Sequence, residues 1–213
     1  MTRDLFESER SAAPLADGAV LLPGFALSCE EEILAGVAAV TAAAAFRHMT
    51  TPGGFRMSVA MTNCGNAGWI TDRRGYRYDA ADPETGSDWP AMPAAFGALA
   101  TRAAAAGGFP GFVPDACLIN RYEPGARLTL HQDRNERDYD APIVSVSLGL
   151  PATFLFGGSE RTDKARRIPL THCDVVVWGG PARLAFHGVA PLKDGTHPLL
   201  DRARINLTFR KAL

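Results

Sequence analysis

Charge of one sign is missing from this sequence. Its 22 Lys and Arg face 23 Asp and Glu, a formal net charge of −1, so bulk electrostatics does not announce a polyanion binder. Long apolar runs are missing too. The longest, Ile33–Phe46, has 14 residues and is mostly alanine, short of the ~20 that a membrane-spanning helix needs. No basic stretch followed by an apolar core opens the chain, so no signal peptide is expected. Cysteine is sparse: Cys29, Cys64, Cys117 and Cys173 lie far apart and form no Cys-x-x-Cys. That excludes a zinc ribbon and a thioredoxin-type redox motif. Such scattered cysteines fit reduced, buried thiols, and a cytoplasmic protein with no membrane partner is the expectation. Histidine is rare enough, at five residues, for each to be weighed.

The remainder is an ordinary globular composition, 46% hydrophobic and 21% charged over 213 residues. A chain of this length folds as one large domain without a staple. Its charge is uneven. Seven acids against two arginines in residues 1–32 leave the rest with a net +4, room for a modest basic face. Ser28 and Glu31 read as a capping box opening an Ala-rich helix over 30–46. Pro93 and the Gly107-Gly108 pair bracket a second helix over 93–106. From Asp115 the period changes to two. Strands are expected near 116–122, 127–133, 143–149, 153–156, 166–170, 174–178, 184–189 and 203–210. Eight short strands without helix-length gaps predict a mainly β jelly roll with flanking helices. Residues 49–92 stand apart: rich in Gly, Asp and Thr, they carry Phe55, Trp69, Tyr76, Tyr78 and Trp89. A long aromatic-bearing loop region of this kind either binds something or covers a small satellite core.

Chemistry concentrates in a few places. His131-Gln132-Asp133 would put an imidazole and a carboxylate on one side of a strand, close enough to share a metal. An isolated surface pair is the plain alternative. His187 sits in an apolar run, where a satisfied core histidine is the plain alternative; with the first two it completes a two-His, one-carboxylate facial triad. His48, His172 and His197 have no patterned neighbours and read as structural or solvated. The last strand alternates without a fault, with Arg204, Asn206, Thr208 and Arg210 on one face and Ile205, Leu207 and Phe209 on the other. It is either an edge strand with a wet face or the inner wall of a roll whose arginine forks bind a dicarboxylate. Arg204 and Arg210 would lie ~20 Å apart on an ideal strand, so one of them could instead stand behind the other's ligand. Asn120 and Tyr122 share a face on the first core strand, each able to donate to a carboxylate.

Asn120, Tyr122, His131, Asp133, His187, Arg204, Asn206 and Arg210, in this order and spacing, give the chain a resemblance to the AlkB family of Fe(II)/2-oxoglutarate-dependent dioxygenases, running from the N-terminal helix to Arg210. The resemblance implies a double-stranded β-helix in one dioxygenase domain: helical support over 1–48, a nucleotide-recognition lid over 49–92, and the second helix with the β core over 93–213. It implies that His131, Asp133 and His187 hold Fe(II), while Asn120, Tyr122, Arg204, Asn206 and Arg210 hold 2-oxoglutarate, with O2 as second cosubstrate. It makes Trp69 the aromatic that stacks on a flipped base opposite His131, puts Tyr76 and Tyr78 near the substrate backbone and Arg161 on the substrate side, and places Asn135 where close bacterial relatives carry an acid facing the methylated base. The implied activity is oxidative demethylation of 1-methyladenine- and 3-methylcytosine-type lesions by a monomer acting on alkylated single-stranded DNA, with double-stranded DNA and RNA as further partners. Residues 161–167 carry a net +3 suited to phosphates. Two rival readings stay open: a dioxygenase of the same cofactor class with another substrate, and a non-catalytic binder of alkylated nucleic acid.

Overall fold

The computed structural model describes residues 11–213. In chain order it comprises β1 (Ala13–Ala16), β2 (Ala19–Leu22), a 3-10 turn (Leu27–Cys29), α1 (Glu30–Ala43), β3 (Ala60–Gly65), β4 (Gly68–Asp72), β5 (Gly75–Asp79), α2 (Ala94–Ala106), β6 (Ala116–Tyr122) and β7 (Leu128–His131). Then follow β8 (Ile143–Gly149), β9 (Ala152–Phe156), β10 (Arg166–Leu170), β11 (Val175–Trp178), a second 3-10 turn (Gly180–Ala182), β12 (His187–Val189) and β13 (Arg204–Arg210). The strands form a seven-stranded sheet, β1-β2-β11-β8-β13-β6-β3, a four-stranded sheet, β10-β9-β12-β7, and the separate β4–β5 hairpin. Every pairing is antiparallel.

The large sheet separates two cores. On its outer face Val144, Val146, Leu148, Ile205, Leu207 and Phe209 pack under the helices. Phe96 of α2 meets Phe209 edge to face at 5.9 Å, and α1 approaches so closely that a Cβ on Gly36 would come within 2.6 Å of the Phe96 ring. Burial of each such phenylalanine contributes ~1.5–3 kcal/mol. Its inner face looks at the small sheet, where Phe154, Phe156 and Trp178 cluster. The alternation of β13 therefore has a direct consequence. β13 lies in the middle of the sheet, between β6 and β8, so its polar residues face inward and are buried. The edge-strand reading is excluded.

Some local expectations are corrected. Ser28 makes no capping box: the 3-10 turn runs into α1 with Cys29 at the N-cap position and no side-chain cap, and the helix stops at Ala43. The hairpin β1–β2, too short to stand out by periodicity, extends the large sheet by pairing with β11. β7 ends at His131, which leaves Asp133 just beyond the strand, and β12 begins only at His187.

Candidate active site

Between the two sheets lies a cavity of about 550 Å³, lined by both His131 and His187, by Asp133, by the polar face of β13, and by Trp69 and Tyr76 of the hairpin. Strand register assembles its metal corner. β12 pairs with β7 so that His187 lies opposite His131, with ring centroids 4.4 Å apart. Asp133 reaches in from beyond β7, placing Oδ1 3.8 Å from His131 Nε2 and Oδ2 3.8 Å from His187 Nε2. Each imidazole is oriented from behind. His131 Nδ1 donates to Thr129 O at 2.8 Å and His187 Nδ1 donates to Ala185 O at 3.0 Å. A carbonyl can only accept, so Nδ1 carries the proton in both rings and both Nε2 lone pairs point at the shared centre, the arrangement a metal-binding histidine needs.

Burial raises the pKa of the Asp133 carboxyl, but Arg210 and then the two histidines overcome it and hold the group well below the usual carboxylate range. Arg210 grips Oδ2 with Nε at 2.9 Å and Nη2 at 2.7 Å. Burial, reinforced by His131, draws His187 down to about 4, so it stays neutral and available as a ligand at physiological pH.

The opposite corner is built for an anion. Arg204 is 1% exposed, and its guanidinium lies 4.9 Å over the Tyr122 ring. Only Nη2 is engaged, donating to Ser147 Oγ at 2.8 Å. Arg204 Nε, Arg204 Nη1 and the Tyr122 hydroxyl are buried without hydrogen-bond partners. Orphaned donors of this kind cost ~1–3 kcal/mol each and fit a bound carboxylate. Asn206 is fixed by donating to Ser145 Oγ and Val146 O, which turns its Oδ1 toward Asn120 and Thr208. Asn120 spends its donor there and presents Oδ1, an acceptor without a partner. Its second amide N–H remains, so Asn120 keeps the donor capacity expected of it. Both arginines line the cavity: Arg210 grips Asp133, while Arg204 is engaged through Nη2 alone.

The hairpin contributes Trp69 and Tyr76 to the cavity wall. Trp69 stacks on Tyr76 at 5.7 Å, and its Nε1 donates to Asn135 Oδ1 at 3.1 Å. The Asn63 side chain holds the Trp69 backbone as a strand partner would, accepting its N–H and donating to its carbonyl. Tyr78 does not line the cavity; its hydroxyl donates instead to Glu136 Oε1 at 2.7 Å. Arg161 lines the opposite rim, over Phe186. Farther along, Arg166 is engaged by Leu15 O. Sequence reasoning missed Ser145 and Ser147, whose Val-Ser-Val-Ser alternation in β8 was readable. It also missed Glu136 and Arg183, buried charges with no periodic signature.

Among the described residues a second group brings three donor atoms within 4.8 Å: Glu30, His172 and Cys173. There His172 Nδ1 accepts the Gly149 N–H at 2.8 Å, so its proton lies on Nε2, facing Glu30 Oε1.

A facial triad whose lone pairs converge, beside a buried guanidinium with open donors in a jelly roll, defines a 2-oxoglutarate-dependent iron oxygenase. Comparison with known proteins agrees. Residues 18–210 match the model of the 2OG-Fe(II) oxygenase superfamily, and the chain belongs to that family. It is 57% identical over 210 residues to the alpha-ketoglutarate-dependent dioxygenase AlkB of Escherichia coli, covering 98% of this chain and 97% of that protein. The AlkB homolog of Caulobacter vibrioides is 43% identical over 211 residues, 95% of this chain and 94% of its own. The solved structure of OsALKBH1 superposes with a TM-score of 0.82 at 31% identity, covering 94% of this chain and all but 1% of that one. The protein is thus an alpha-ketoglutarate-dependent dioxygenase using Fe(II), 2-oxoglutarate and O2, and His131, Asp133 and His187 offer the donor set that iron requires.

Proposed function

We propose that this dioxygenase oxidatively demethylates N-alkylated bases in nucleic acid, with alkylated single-stranded DNA as its preferred substrate. The observation that carries this reading is the shared cavity: the aromatic pair Trp69–Tyr76 and the His131–Asp133–His187 corner line one space. A flipped base stacked on an indole gains ~1–3 kcal/mol whatever its sequence context, and a damaged base is cheap to unpair. Residues 49–92 then act as a lid over the base.

In this reading His131, Asp133 and His187 hold iron through two neutral imidazoles and one ionised carboxylate. Arg204 and Tyr122 donate to the distal carboxylate of 2-oxoglutarate from their unpartnered atoms, and Asn206 fixes the wall beside it. Arg210 keeps Asp133 ionised and borders the metal end. The bound iron, 2-oxoglutarate and oxygen supply hydroxylation of the N-methyl carbon, which leaves as formaldehyde with succinate and CO₂ as coproducts. The chain's own residues orient the base, exclude water with Met57, Met61 and Trp178, and keep the ligand set charged as the chemistry requires. Asn135 offers a methylated base an amide instead of a carboxylate, so a cationic lesion gains no counter-charge from it. Arg161 and the exposed basic residues near it face phosphates. The protein works as a cytoplasmic monomer.

The test is to supply Fe(II), 2-oxoglutarate, oxygen and oligonucleotides carrying 1-methyladenine or 3-methylcytosine, single- or double-stranded, and to measure succinate and repaired base together. Coupled formation of both is expected. Succinate without repair would move the search to another substrate. Full repair by Trp69→Ala would remove the stacking assignment.

A further inference from the structure

Glu136 is 5% exposed, a buried carboxylate three residues past the triad aspartate, and no step above uses it. Three groups converge on it. The Tyr78 hydroxyl donates to Oε1 at 2.7 Å, and Arg210 Nε lies 3.4 Å from the same oxygen. Arg183 Nη2 donates to Oε2 at 3.2 Å, while Arg183 Nη1 donates to the backbone carbonyl of Asp133 at 3.0 Å. Buried charges therefore alternate along one line: Arg183, Glu136, Arg210, Asp133. Arg210 sits between two carboxylates, one of them the triad's. A guanidinium shared in this way pulls less on Asp133 than one that Asp133 holds alone.

The geometry points to Glu136 as a positioning residue for the metal centre. It sets how strongly Arg210 draws on Asp133, and hence how well Asp133 donates to a divalent cation. Tyr78, at the base of the aromatic hairpin, holds Glu136 in place. The inference rests on the triad as the metal site, not on the choice of nucleic-acid substrate.

Charge arithmetic gives it a signature. Glu136→Gln keeps the size and an oxygen to accept from Tyr78, but removes one negative charge. Arg210 then falls wholly to Asp133, and the cavity becomes more positive. Binding of a divalent cation weakens by roughly tenfold, since buried unit charges interact strongly at this range. Binding of a dianion moves the other way. A residue that merely held the fold together would weaken both. Tyr78→Phe removes the neutral donor on Oε1 and leaves that oxygen to Arg210 alone, so cation binding tightens about two- to threefold.

Manganese(II) titrated into the full chain, with free ion followed by electron paramagnetic resonance, reads the first quantity. 2-Oxoglutarate titrated at saturating manganese reads the second. The expected result is weaker manganese binding in Glu136→Gln with 2-oxoglutarate affinity equal or higher. Unchanged manganese affinity, or parallel loss of both ligands, overturns the proposal. If Glu136→Gln fails to fold, Tyr78→Phe decides: tighter manganese binding supports the proposal, equal or weaker binding refutes it. His187→Ala in the same titration separates the two levels of inference. If it keeps manganese, the triad assignment itself is wrong.

Discussion

Among the described residues two clusters bring three potential metal ligands within the same distance of one another, yet only one of the two is built to hold a metal. In the His131–Asp133–His187 group both imidazoles donate backward through Nδ1 to carbonyls, freeing both Nε2 lone pairs. In the Glu30–His172–Cys173 group the backward partner of His172 is an amide N–H. That single exchange of carbonyl for amide puts the proton on Nε2 and turns the forward contact into a hydrogen bond to Glu30. Burial, with Glu30 and Cys29 nearby, also pushes the Cys173 thiol up to about 12, far from the thiolate a metal requires. Proximity of donors does not make a metal site; what stands behind each ring does.

The contrast can be broken most severely by substitution. His187→Ala is expected to abolish turnover, by roughly 10³-fold or more, and to remove the bound metal seen by elemental analysis. His172→Ala should leave metal content at one per chain. If metal content drops with His172, the contrast fails. Next in size is the anion corner. Arg204→Ala removes the open donors, and charge-assisted hydrogen bonds contribute ~1.5–3 kcal/mol each. The KM for 2-oxoglutarate should rise on the order of 10- to 100-fold with the fold intact, as measured by succinate formation and thermal melting.

Acid sharpens the comparison further. The folded-state pKa of His187 is drawn down to about 4 from an ordinary 6.5. The unfolded chain therefore takes up a proton at His187 that the folded one refuses, and metal-free stability should fall as pH drops from about 6.5 to 4 and gain no further His187 loss below that. Asp133, with its depressed folded-state pKa, adds a loss of its own only below about pH 5, where the unfolded carboxylate begins to take up a proton, so the upper part of the window reports His187. Melting in the presence of a chelator reads it, and His187→Asn should flatten the profile. The smallest expected change is in the structural cluster. His172→Ala strips the Gly149 N–H and Glu30 of a partner and should cost about 1–3 kcal/mol of stability in denaturant unfolding. Cys173 should react with a thiol reagent only on unfolding.

Much of this was legible in the chain. Period-two patterning located the core strands because their two faces meet different surroundings; in the large sheet one face meets the helices and the other the cavity, as β13 shows with Leu207 and Asn206. Ligand identities were legible because His131, Asp133 and His187 are polar residues in strand-like surroundings. What sequence could not carry was pairing. Nothing in the spacing says that Arg210 forks onto Asp133 while Arg204 is engaged through Nη2 alone, nor that Asn120 donates to Asn206. Those facts depend on which strand lies beside which, and on Val146 O forcing the Asn206 amide. Tyr78 was placed with the substrate by its neighbours in sequence. It lies two residues from Tyr76 on β5 and so shares that residue's side of the strand; the spacing gives no sign that its hydroxyl turns to Glu136 and away from the cavity. The hairpin β1–β2 escaped because four-residue strands are shorter than any periodicity can establish.

The hairpin β4–β5 pairs with neither large sheet. Its polar side-chain anchors include Asn63 on Trp69, Asn135 on Trp69 and Tyr76, Thr71 on Thr50 O, Tyr78 on Glu136, and the Trp89 indole on Asp79 O. The polar wall of the cavity is meanwhile carried by β13, locked by long ladders to β6 and β8. The molecule is thus divided into a chassis and an exchangeable attachment. Apart from Tyr78, whose hydroxyl reaches Glu136, exposed residues of the attachment can change without touching the metal corner beneath. A lineage built on this plan can change what it repairs while keeping how it burns the cosubstrate.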